Sequence, residues 1–227
     1  MTRSFAPALF SFLRDLEANN DREWFATNKS RYERSVREPG VQFIQDFAPH
    51  LAKISPHFVA DARPNGGSMF RIYRDVRFSH DKSPYKTNVG FQFRHEAGRD
   101  AHAPGFYLHL EPGAVFAAAG LWHPDAATAR SIREAIVADA AGWKKITRSK
   151  RFADMFHLSE DSLKRPPAGV DPDHPLIEDL KRKDFIAMKA LTQKAVTTDG
   201  FLREYARLCA SAAPLMRFLC ESVGLPF

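Results

Sequence analysis

The sequence predicts an α+β protein: a central antiparallel sheet of about four to five strands, with N- and C-terminal helices on one face and a polar second face. Apolar residues recur at helical spacing near both termini, whereas aromatic and apolar residues alternate with polar ones between residues 70 and 122. Helices, strands and helices in that order indicate an α+β layer arrangement. Because 227 residues suit one ordinary core, we expect a single domain, residues 1–227.

The N-terminal part of the chain is predicted to be helical. The first helix has an apolar stripe made of Leu9, Phe12, Leu13 and Leu16. Asn-Asn-Asp at 19–21 ends that helix and provides a cap for the next one. We expect Pro39-Gly40 to interrupt the helical run, which then resumes over residues 41–54.

Strands are predicted in the middle of the chain. They cover residues 70–78, 89–95, 106–111 and 115–122, and a fifth covers residues 185–192. Pro112 and Gly113 occupy the positions that they favour in a type II turn, which joins the third and fourth strands as a hairpin. Helical spacing is clearest over residues 201–223, and Gly224 ends this last helix.

Alternation along these strands separates polar from apolar side chains. The polar set comprises Arg71, Tyr73, Asp75, Arg77, Gln92, Arg94, Tyr107, His109 and Glu111, and Lys189 joins it from the last strand. Arg presents a planar fork of donors that suits phosphate or carboxylate, and Tyr adds a stacking surface with a polar tip. The polar face therefore predicts an anion site. The alternative is a structural salt-bridge network with pairs such as Arg74–Asp75 and Asp81–Lys82.

The charge distribution also favours an anionic partner. The net charge is +6, and two short stretches together exceed that total: residues 71–86 carry +3 and residues 144–151 carry +5. Such patches attract nucleic acid, nucleotides, phosphorylated metabolites or acidic proteins. In the second stretch, Lys144, Arg148 and Arg151 would share one helix face, as is needed to follow a phosphate backbone.

Membrane association is not expected, because no apolar run approaches the length of a transmembrane helix. Charged residues follow the short apolar stretch near the N-terminus, which argues against a signal peptide. Cys209 and Cys220 are eleven residues apart in a helical pattern, roughly 16 Å along the axis, so they cannot bond to each other within that helix. We therefore expect a reduced, cytoplasmic protein.

Most of the candidate site lies between Phe70 and Lys86. The candidate ligand-binding residues are Arg71, Tyr73, Arg74, Asp75, Arg77, Asp81, Lys82, Tyr85, Lys86, Arg94, Tyr107 and Lys189. In this set the anion would be contacted by Arg71, Arg77, Lys82 and Lys86. Asp75 would orient an arginine, and Tyr73 and Tyr85 would stack or donate a hydrogen bond. The prediction is a phosphate-bearing ligand, either a nucleotide or nucleic acid.

Two other functions stay open at this stage. Asp75, Asp81, His109 and Glu111 could bind a divalent cation as cofactor, as in a metal-dependent phosphoesterase or nuclease, with Asp75, His109 and Glu111 as catalytic candidates. No spacing selects this metal set, and the sequence has no phosphate-loop, dinucleotide-binding or nucleophile-elbow motif. The third function is a structural or protein-interaction module. The sequence thus decides neither for nor against an enzyme.

Two residues near the predicted helix ends have structural interpretations. Asp173 precedes the sequence Pro-Leu-Ile-Glu-Asp-Leu and is predicted to cap that helix. His123 follows Trp122 and is predicted to be a packed or capping histidine.

The central motif "RIYRDVRFSHDKSPY" at 71–85 resembles the signature of a widespread bacterial family of conserved hypothetical proteins, classed as a domain of unknown function. The residues that resemble it are Arg71, Arg74, Asp75, Arg77, Phe78, Asp81, Lys82 and Tyr85. Residues 19–32, 120–125 and 163–175 also resemble this family, so the resemblance covers nearly the whole chain. It implies a single-domain bacterial protein without an established activity, and it assigns no cofactor or catalytic residue.

Overall fold

A five-stranded antiparallel sheet forms the centre of the protein, which confirms the α+β prediction. The computed structural model describes residues 4–63, 66–98 and 103–227. The strands are β1 (Val89–Arg94), β2 (Gly105–Glu111), β3 (Ala114–Leu121), β4 (His157–Leu158) and β5 (Phe185–Leu191). They lie in the order β1-β2-β3-β5-β4. The β2–β3 hairpin turns at Gly113, whose φ of 86° suits the glycine position of the expected turn.

Helices precede the first strand and follow the third. They are α1 (Pro7–Ala18), α2 (Arg22–Tyr32), α3 (Glu38–Ile54), α4 (Ala126–Ala138), α5 (Ala140–Thr147), α6 (Lys150–Ala153), α7 (Ile177–Leu180), α8 (Gln193–Val196) and α9 (Phe201–Ser222). Asp21 caps α2 as predicted, since its carboxylate accepts the Trp24 N–H. Within the described ranges, no helix is both long and apolar enough to cross a membrane.

Aromatic packing joins α3 and α9 to one face of the sheet. The Phe47 and Phe93 rings are 4.7 Å apart, and Tyr205 of α9 lies 4.9 Å from Phe47. Burying one phenylalanine side chain stabilises a fold by about 1.5–3 kcal/mol. The alternating apolar residues of β1 and β2 therefore fix which face the helices cover. We call the opposite side of the sheet the open face.

The helical run from α2 to α3 continues through Pro39-Gly40, although the sequence predicts an interruption there. Residues Glu33–Arg37 form a π-turn, in which the Glu38 N–H donates to the carbonyl of Glu33. The missing N–H of Pro39 consequently falls at the junction of two helical segments, where a proline is tolerated.

Residues 70–86, which we call the basic segment, do not form the predicted strand over residues 70–78. The segment folds back on itself instead. The Arg74 N–H donates to the Pro84 carbonyl at 2.9 Å, and the Lys86 N–H donates to the Ile72 carbonyl at 2.7 Å. The Asp81 carboxylate accepts the N–H of the residue two positions later, a local bond that competes with strand pairing.

Two helical expectations beyond residue 140 are also wrong. Lys144, Arg148 and Arg151 do not share one helix face, because α5 ends at Thr147 and α6 begins only at Lys150. Trp143, which directly precedes these residues, is fully buried in the core.

Asp173 does not cap the short helix α7, which begins at Ile177 without a side-chain cap. The Asp173 N–H instead donates to the Asp171 carboxylate at 2.9 Å. Residues 171–176 instead form turns that contain two prolines, and the His174 N–H donates to the Asp171 carbonyl at 3.1 Å. The helix therefore starts later than its composition indicates.

Candidate ligand-binding site

A cavity of about 470 Å³ lies on the open face of the sheet, and we call it the open-face cavity. It is lined by Phe70, Lys86, Asn88, Gln92, Ala103, Gly105, Tyr107, Phe116, Ala118, Ala119, Gly120, Trp122, Ser159, Asp184, Ile186 and Met188. These residues come from the basic segment, from β1, β2, β3 and β5, and from the stretches beside the strands. Small-molecule sites commonly have volumes of about 300–1,000 Å³, so the cavity suits a small ligand.

The floor of the cavity changes character across the sheet. Polar side chains occupy the half formed by β1 and β2, as the sequence predicts. Over β3 and β5 the floor is apolar, with Phe116, Ile186 and Met188. Gly120 belongs to this half, and a Cβ there would lie 2.0 Å from the Phe185 carbonyl oxygen. A ligand on this face therefore meets polar groups at one side and a flat apolar surface at the other.

Three polar side chains of β2 form a hydrogen-bonded row. The Tyr107 hydroxyl lies 2.9 Å from His109 Nδ1, and His109 Nε2 lies 3.1 Å from Glu111 Oε2. Since a carboxylate only accepts, His109 Nε2 is the donor to Glu111, and in the tautomer with its proton on Nε2 the Nδ1 atom accepts the Tyr107 O–H. Burial, with the Glu111 charge, raises the pKa of Tyr107 to about 12, so the phenol stays neutral. Thr87 completes the row by donating to Glu111 Oε1 at 3.2 Å.

Gly90 makes room for this row. It lies on β1, and a Cβ at this position would be 2.6 Å from the Tyr107 hydroxyl and 2.9 Å from a Phe70 ring carbon. Any side chain at position 90 would therefore displace Tyr107 or Phe70.

Lys86 and Arg71 are the two cations of the basic segment that remain available to a ligand. Within the described part of the chain, neither has a carboxylate within 4.0 Å. Lys86 is half-buried at the cavity wall, with Nζ 5.4 Å from the centre of the Phe70 ring. Burial and the nearby Arg71 charge lower the pKa of Lys86. This end of the cavity therefore carries positive charge that no described carboxylate balances by direct contact.

The other cations of the basic segment bind groups of the segment itself. Arg77 pairs with Asp75 at 2.6 Å, and Arg74 pairs with Asp81. These pairs differ from the predicted Arg74–Asp75 and Asp81–Lys82 pairs. Lys82 donates to a backbone carbonyl, that of Val76, at 3.0 Å.

These contacts lower the pKa of both carboxylates, Asp75 and Asp81. The Arg77 side chain holds the pKa of Asp75 at about 2. Hydrogen bonds from Ser83 and Arg74 lower the pKa of Asp81. Both pairs thus join side chains within the segment, with partners other than those that the salt-bridge alternative named.

Tyr85 and Tyr73 lie on the side of the basic segment that faces α2. Tyr85 is buried, its ring stacks on Phe25 at 4.1 Å, and Tyr73 is half-exposed beside it. A second cavity of about 340 Å³ lies here, lined by Glu17, Asn20, Arg74, Asp81, Ser83, Tyr85, Lys86, Thr87 and Asn88. Lys86 and Asn88 line both cavities, so they connect this side of the basic segment to the open face.

Arg94 and Lys189 lie away from this end. Arg94 is the last residue of β1, and its guanidinium approaches the Gly66 carbonyl at 3.5 Å. Lys189 is opposite Ala117 in the β3–β5 register, and Ala117 faces the helices. Lys189 therefore does not join the open face, contrary to its predicted placement.

The four candidate metal ligands are not brought together. Across residues 4–63, 66–98 and 103–227, no group of three or more His, Cys, Asp or Glu side chains could hold a metal ion. Asp75 and Asp81 bind arginines, whereas His109 and Glu111 bind each other on β2. The arrangement gives no support to the metal-dependent alternative.

Asp184 is a cavity residue that the sequence analysis missed. It directly precedes β5, its side chain is 7% exposed, and its Oδ1 accepts the His123 N–H at 2.7 Å. His123 has a φ of 45°, a conformation that few non-glycine residues adopt. An acidic residue after Lys181, Arg182 and Lys183 gives no sign in the sequence that it will be buried.

Fold and site together define an α+β protein with a small-molecule-sized cavity on the open face of an antiparallel sheet. The chain belongs to the DUF2461 family of conserved hypothetical proteins, whose model matches residues 8–218. This agrees with the resemblance to a family of conserved hypothetical proteins. No curated protein and no solved structure gives a significant match to the chain.

Proposed function

We propose that this protein binds a small phosphate-bearing ligand, a nucleotide, in the open-face cavity. One observation carries the proposal: Lys86, which has no described carboxylate partner, lines one end of a cavity whose floor is apolar and partly aromatic, and the Arg71 charge acts on it. The phosphate would lie at Lys86 and Arg71, and the base would lie against Phe116 and Met188.

The state of Lys86 supports an anionic ligand. Removing an ammonium group from water costs free energy unless an opposite charge compensates it. In Lys86 that cost is increased by the neighbouring Arg71 and is visible as the lowered pKa. A phosphate between the two cations would relieve both effects.

The size and character of the cavity support a nucleotide over nucleic acid. A volume of about 470 Å³ suits one small ligand, whereas duplex binding uses an extended row of phosphate contacts. The second basic stretch does not supply such a row. Arg148 pairs with the buried Asp179 at 3.2 Å, and Lys150 pairs with Asp154 at 2.8 Å.

The Lys86→Met variant tests this function. We expect it to bind mononucleotides roughly ten- to a hundredfold more weakly, because a hydrogen bond to a charged group contributes about 1.5–3 kcal/mol. Ligand at 100 times its dissociation constant stabilises the wild-type protein by about 2.7 kcal/mol. For a protein of this size, each kcal/mol of stabilisation raises Tm by roughly 2–4 °C. A thermal-shift panel of mononucleotides, with and without Mg²⁺, measures this.

Lys82→Met is the matched control, because Lys82 lies in the same segment and donates to a backbone carbonyl. It should keep the ligand-induced shift. If no phosphate compound shifts the wild-type protein, or if both variants respond like the wild type, the proposal fails. Arg77→Ala should also keep the shift, since Arg77 is bound to Asp75 and is exposed.

A further inference from the structure

The hydrogen-bonded row on β2 has the order of a nucleophile, a base and a residue that orients the base. The Tyr107 hydroxyl lies 2.9 Å from His109 Nδ1, and Glu111 Oε2 lies 3.1 Å from His109 Nε2. The imidazole therefore separates the hydroxyl from the carboxylate. Activated nucleophiles are recognised by a hydroxyl within reach of a base that a third group orients, and tyrosine is among the side chains that form covalent intermediates.

Contacts on the open face hold the His109 ring in this orientation. Phe116 of β3 stacks on the ring at 4.7 Å, with the two ring planes 11° apart. The His109 side chain is only 15% exposed, and Thr87 holds Glu111 by donating to its Oε1 at 3.2 Å. A catalytic group needs this kind of support from packing and hydrogen bonds to keep its direction. Nδ1 of His109 therefore stays directed at the Tyr107 hydroxyl.

The Tyr107 hydroxyl lies at the end of the cavity that carries positive charge. A Cβ built at Gly90 would be 2.6 Å from this hydroxyl and 2.9 Å from a Phe70 ring carbon, so the hydroxyl and the Phe70 ring lie side by side over β1. Lys86 Nζ lies 5.4 Å from the centre of the same ring. Tyr107 and Lys86 both line the cavity. A phosphate bound by Lys86 would consequently lie beside the Tyr107 hydroxyl.

The strand register places the rest of a bound nucleotide on the other side of the phosphate. Tyr107 is opposite Ala118 of β3, and Ala118 is opposite Met188 of β5. The hydroxyl reaches over β1, whereas the apolar floor proposed for the base lies over β3 and β5. In phosphoryl transfer the attacking and leaving oxygens lie roughly in line with phosphorus. A phosphate beside Lys86 would direct its ester oxygen toward β3, away from the Tyr107 hydroxyl, as such a transfer requires.

We propose that the protein hydrolyses the phosphate ester of the nucleotide that it binds, with Tyr107 as nucleophile and His109 as general base. The inference rests on the proposed nucleotide binding. The Tyr107 oxygen forms a bond to phosphorus while the bond from phosphorus to the ribose oxygen breaks, and the electron pair of the broken bond leaves with the ribose oxygen. The phenol proton passes to His109 Nδ1 and then to the leaving oxygen, which gives a nucleoside and a phosphotyrosine. Glu111 is a positioning residue that stabilises the intervening imidazolium.

Water completes the cycle. His109 Nδ1 takes a proton from a water molecule, whose oxygen forms a bond to phosphorus as the bond to the Tyr107 oxygen breaks. The proton then returns to the Tyr107 oxygen, so the net reaction converts the nucleotide and water into a nucleoside and inorganic phosphate. Burial raises the pKa of Tyr107 to about 12, so at neutral pH the phenol needs an adjacent base to lose its proton.

The experiment measures inorganic phosphate released from AMP, GMP, CMP and UMP. We expect the wild-type protein to release phosphate, and Tyr107→Phe to do so at least about a thousandfold more slowly. Calorimetry should show that Tyr107→Phe still binds the nucleotide, since Lys86 is unchanged. Tyr32→Phe is the matched control, because burial raises the pKa of Tyr32 to about 12 as well, but this tyrosine packs against Phe12 and Phe25. It should keep the wild-type rate.

Two further measurements distinguish catalysis from folding. In Glu111→Gln we expect kcat to fall at least about tenfold with KM unchanged, because the amide no longer offsets the charge of the imidazolium. The second measurement uses the wild-type protein alone and a nucleotide whose phosphorus is made chiral by isotopes. Each in-line displacement inverts phosphorus, so the two steps through Tyr107 should retain its configuration, whereas direct attack by water inverts it.

The outcomes separate the two proposals. If the wild-type protein binds a nucleotide but releases no phosphate with or without Mg²⁺, nucleotide binding stands and the catalytic role of Tyr107 is refuted. Inversion at phosphorus, or equal rates in Tyr107→Phe and the wild type, refutes that role as well. If no nucleotide binds the wild-type protein, both proposals are refuted. The configuration at phosphorus keeps the inference testable even if Tyr107→Phe does not fold.

Discussion

At the scale of single residues, Lys86 links the electrostatics of the cavity to its proposed use. Its pKa is lowered from 10.5 by burial and by Arg71. Between that lowered value and 10.5, the unfolded chain binds the proton and the folded protein does not, so the contribution of Lys86 to stability rises with pH. Ligand binding needs the ammonium form, so affinity falls over the same window.

This opposition gives a prediction for Lys86. Without ligand, the free energy of unfolding of the wild type should rise relative to that of Lys86→Met as pH increases above the lowered pKa of Lys86. Nucleotide affinity of the wild type should fall in the same interval. Urea unfolding and calorimetry at a series of pH values measure the two quantities. Lys82→Met should show the wild-type pattern in both, and parallel slopes in all three proteins would contradict the prediction.

Which single residues are predictable depends on whether one strand or several elements place them. Tyr107, His109 and Glu111 lie on one face because alternation within a strand requires it. The placement of Lys189 depends on the register between β3 and β5, which its own sequence does not specify. Asp184 is buried only because the surrounding elements meet there, so no local pattern indicates it.

At the scale of elements, the α1–α2 turn holds the basic segment in place. The Asn20 side chain donates to the Tyr85 carbonyl at 3.0 Å and accepts the Tyr85 N–H at 3.1 Å. One amide thereby satisfies both backbone groups of the residue next to Lys86. The contact joins parts of the chain that are 65 positions apart.

Asn20→Ala should therefore destabilise the protein by about 1–3 kcal/mol, because two backbone groups of a buried residue lose their partner. Nucleotide affinity should also fall, since Lys86 follows Tyr85 directly. Asn19→Ala is the control: its amide donates only to an exposed carbonyl of its own helix, so a change within about 0.5 kcal/mol is expected. Urea unfolding of both variants measures the difference, and equal losses would show that the Tyr85 contact is unimportant.

Elements were predictable where one periodicity dominates. The last helix and the strands β1, β2, β3 and β5 follow regular spacing over their whole length, and the structure has them close to the predicted bounds. The basic segment alternates like a strand, yet its Asp side chains satisfy local backbone and Arg donors, which removes the need for a strand partner. The break predicted at Pro39 is absent because a π-turn precedes this residue, and a π-turn leaves no clear signature in the sequence.

At the scale of the whole molecule, the core buries several groups that must stay neutral. Burial raises the pKa of Tyr32 and Tyr107 to about 12, and that of Tyr205 well above 10. Burial also raises the pKa of the Cys220 thiol to about 12. These side chains come from α2, β2 and α9, so both the helices and the sheet contain groups whose pKa is raised by burial.

The whole protein should consequently lose stability in alkali. Above the ordinary pKa of each group, the unfolded chain releases protons that the folded protein retains, so the free energy of unfolding falls as pH rises. The ordinary values are 9.0 for cysteine and 10.0 for tyrosine, so the loss should begin near pH 9 and steepen between pH 10 and 12. A tyrosine raised to about 12 contributes at most about 3 kcal/mol to this loss. Urea unfolding across this pH range measures the loss of stability in the wild type and in Tyr107→Phe. Tyr73→Phe, which changes an exposed tyrosine, is the control. Tyr107→Phe should give the shallower slope, and a flat profile up to pH 12 would mean that these groups are not buried in solution.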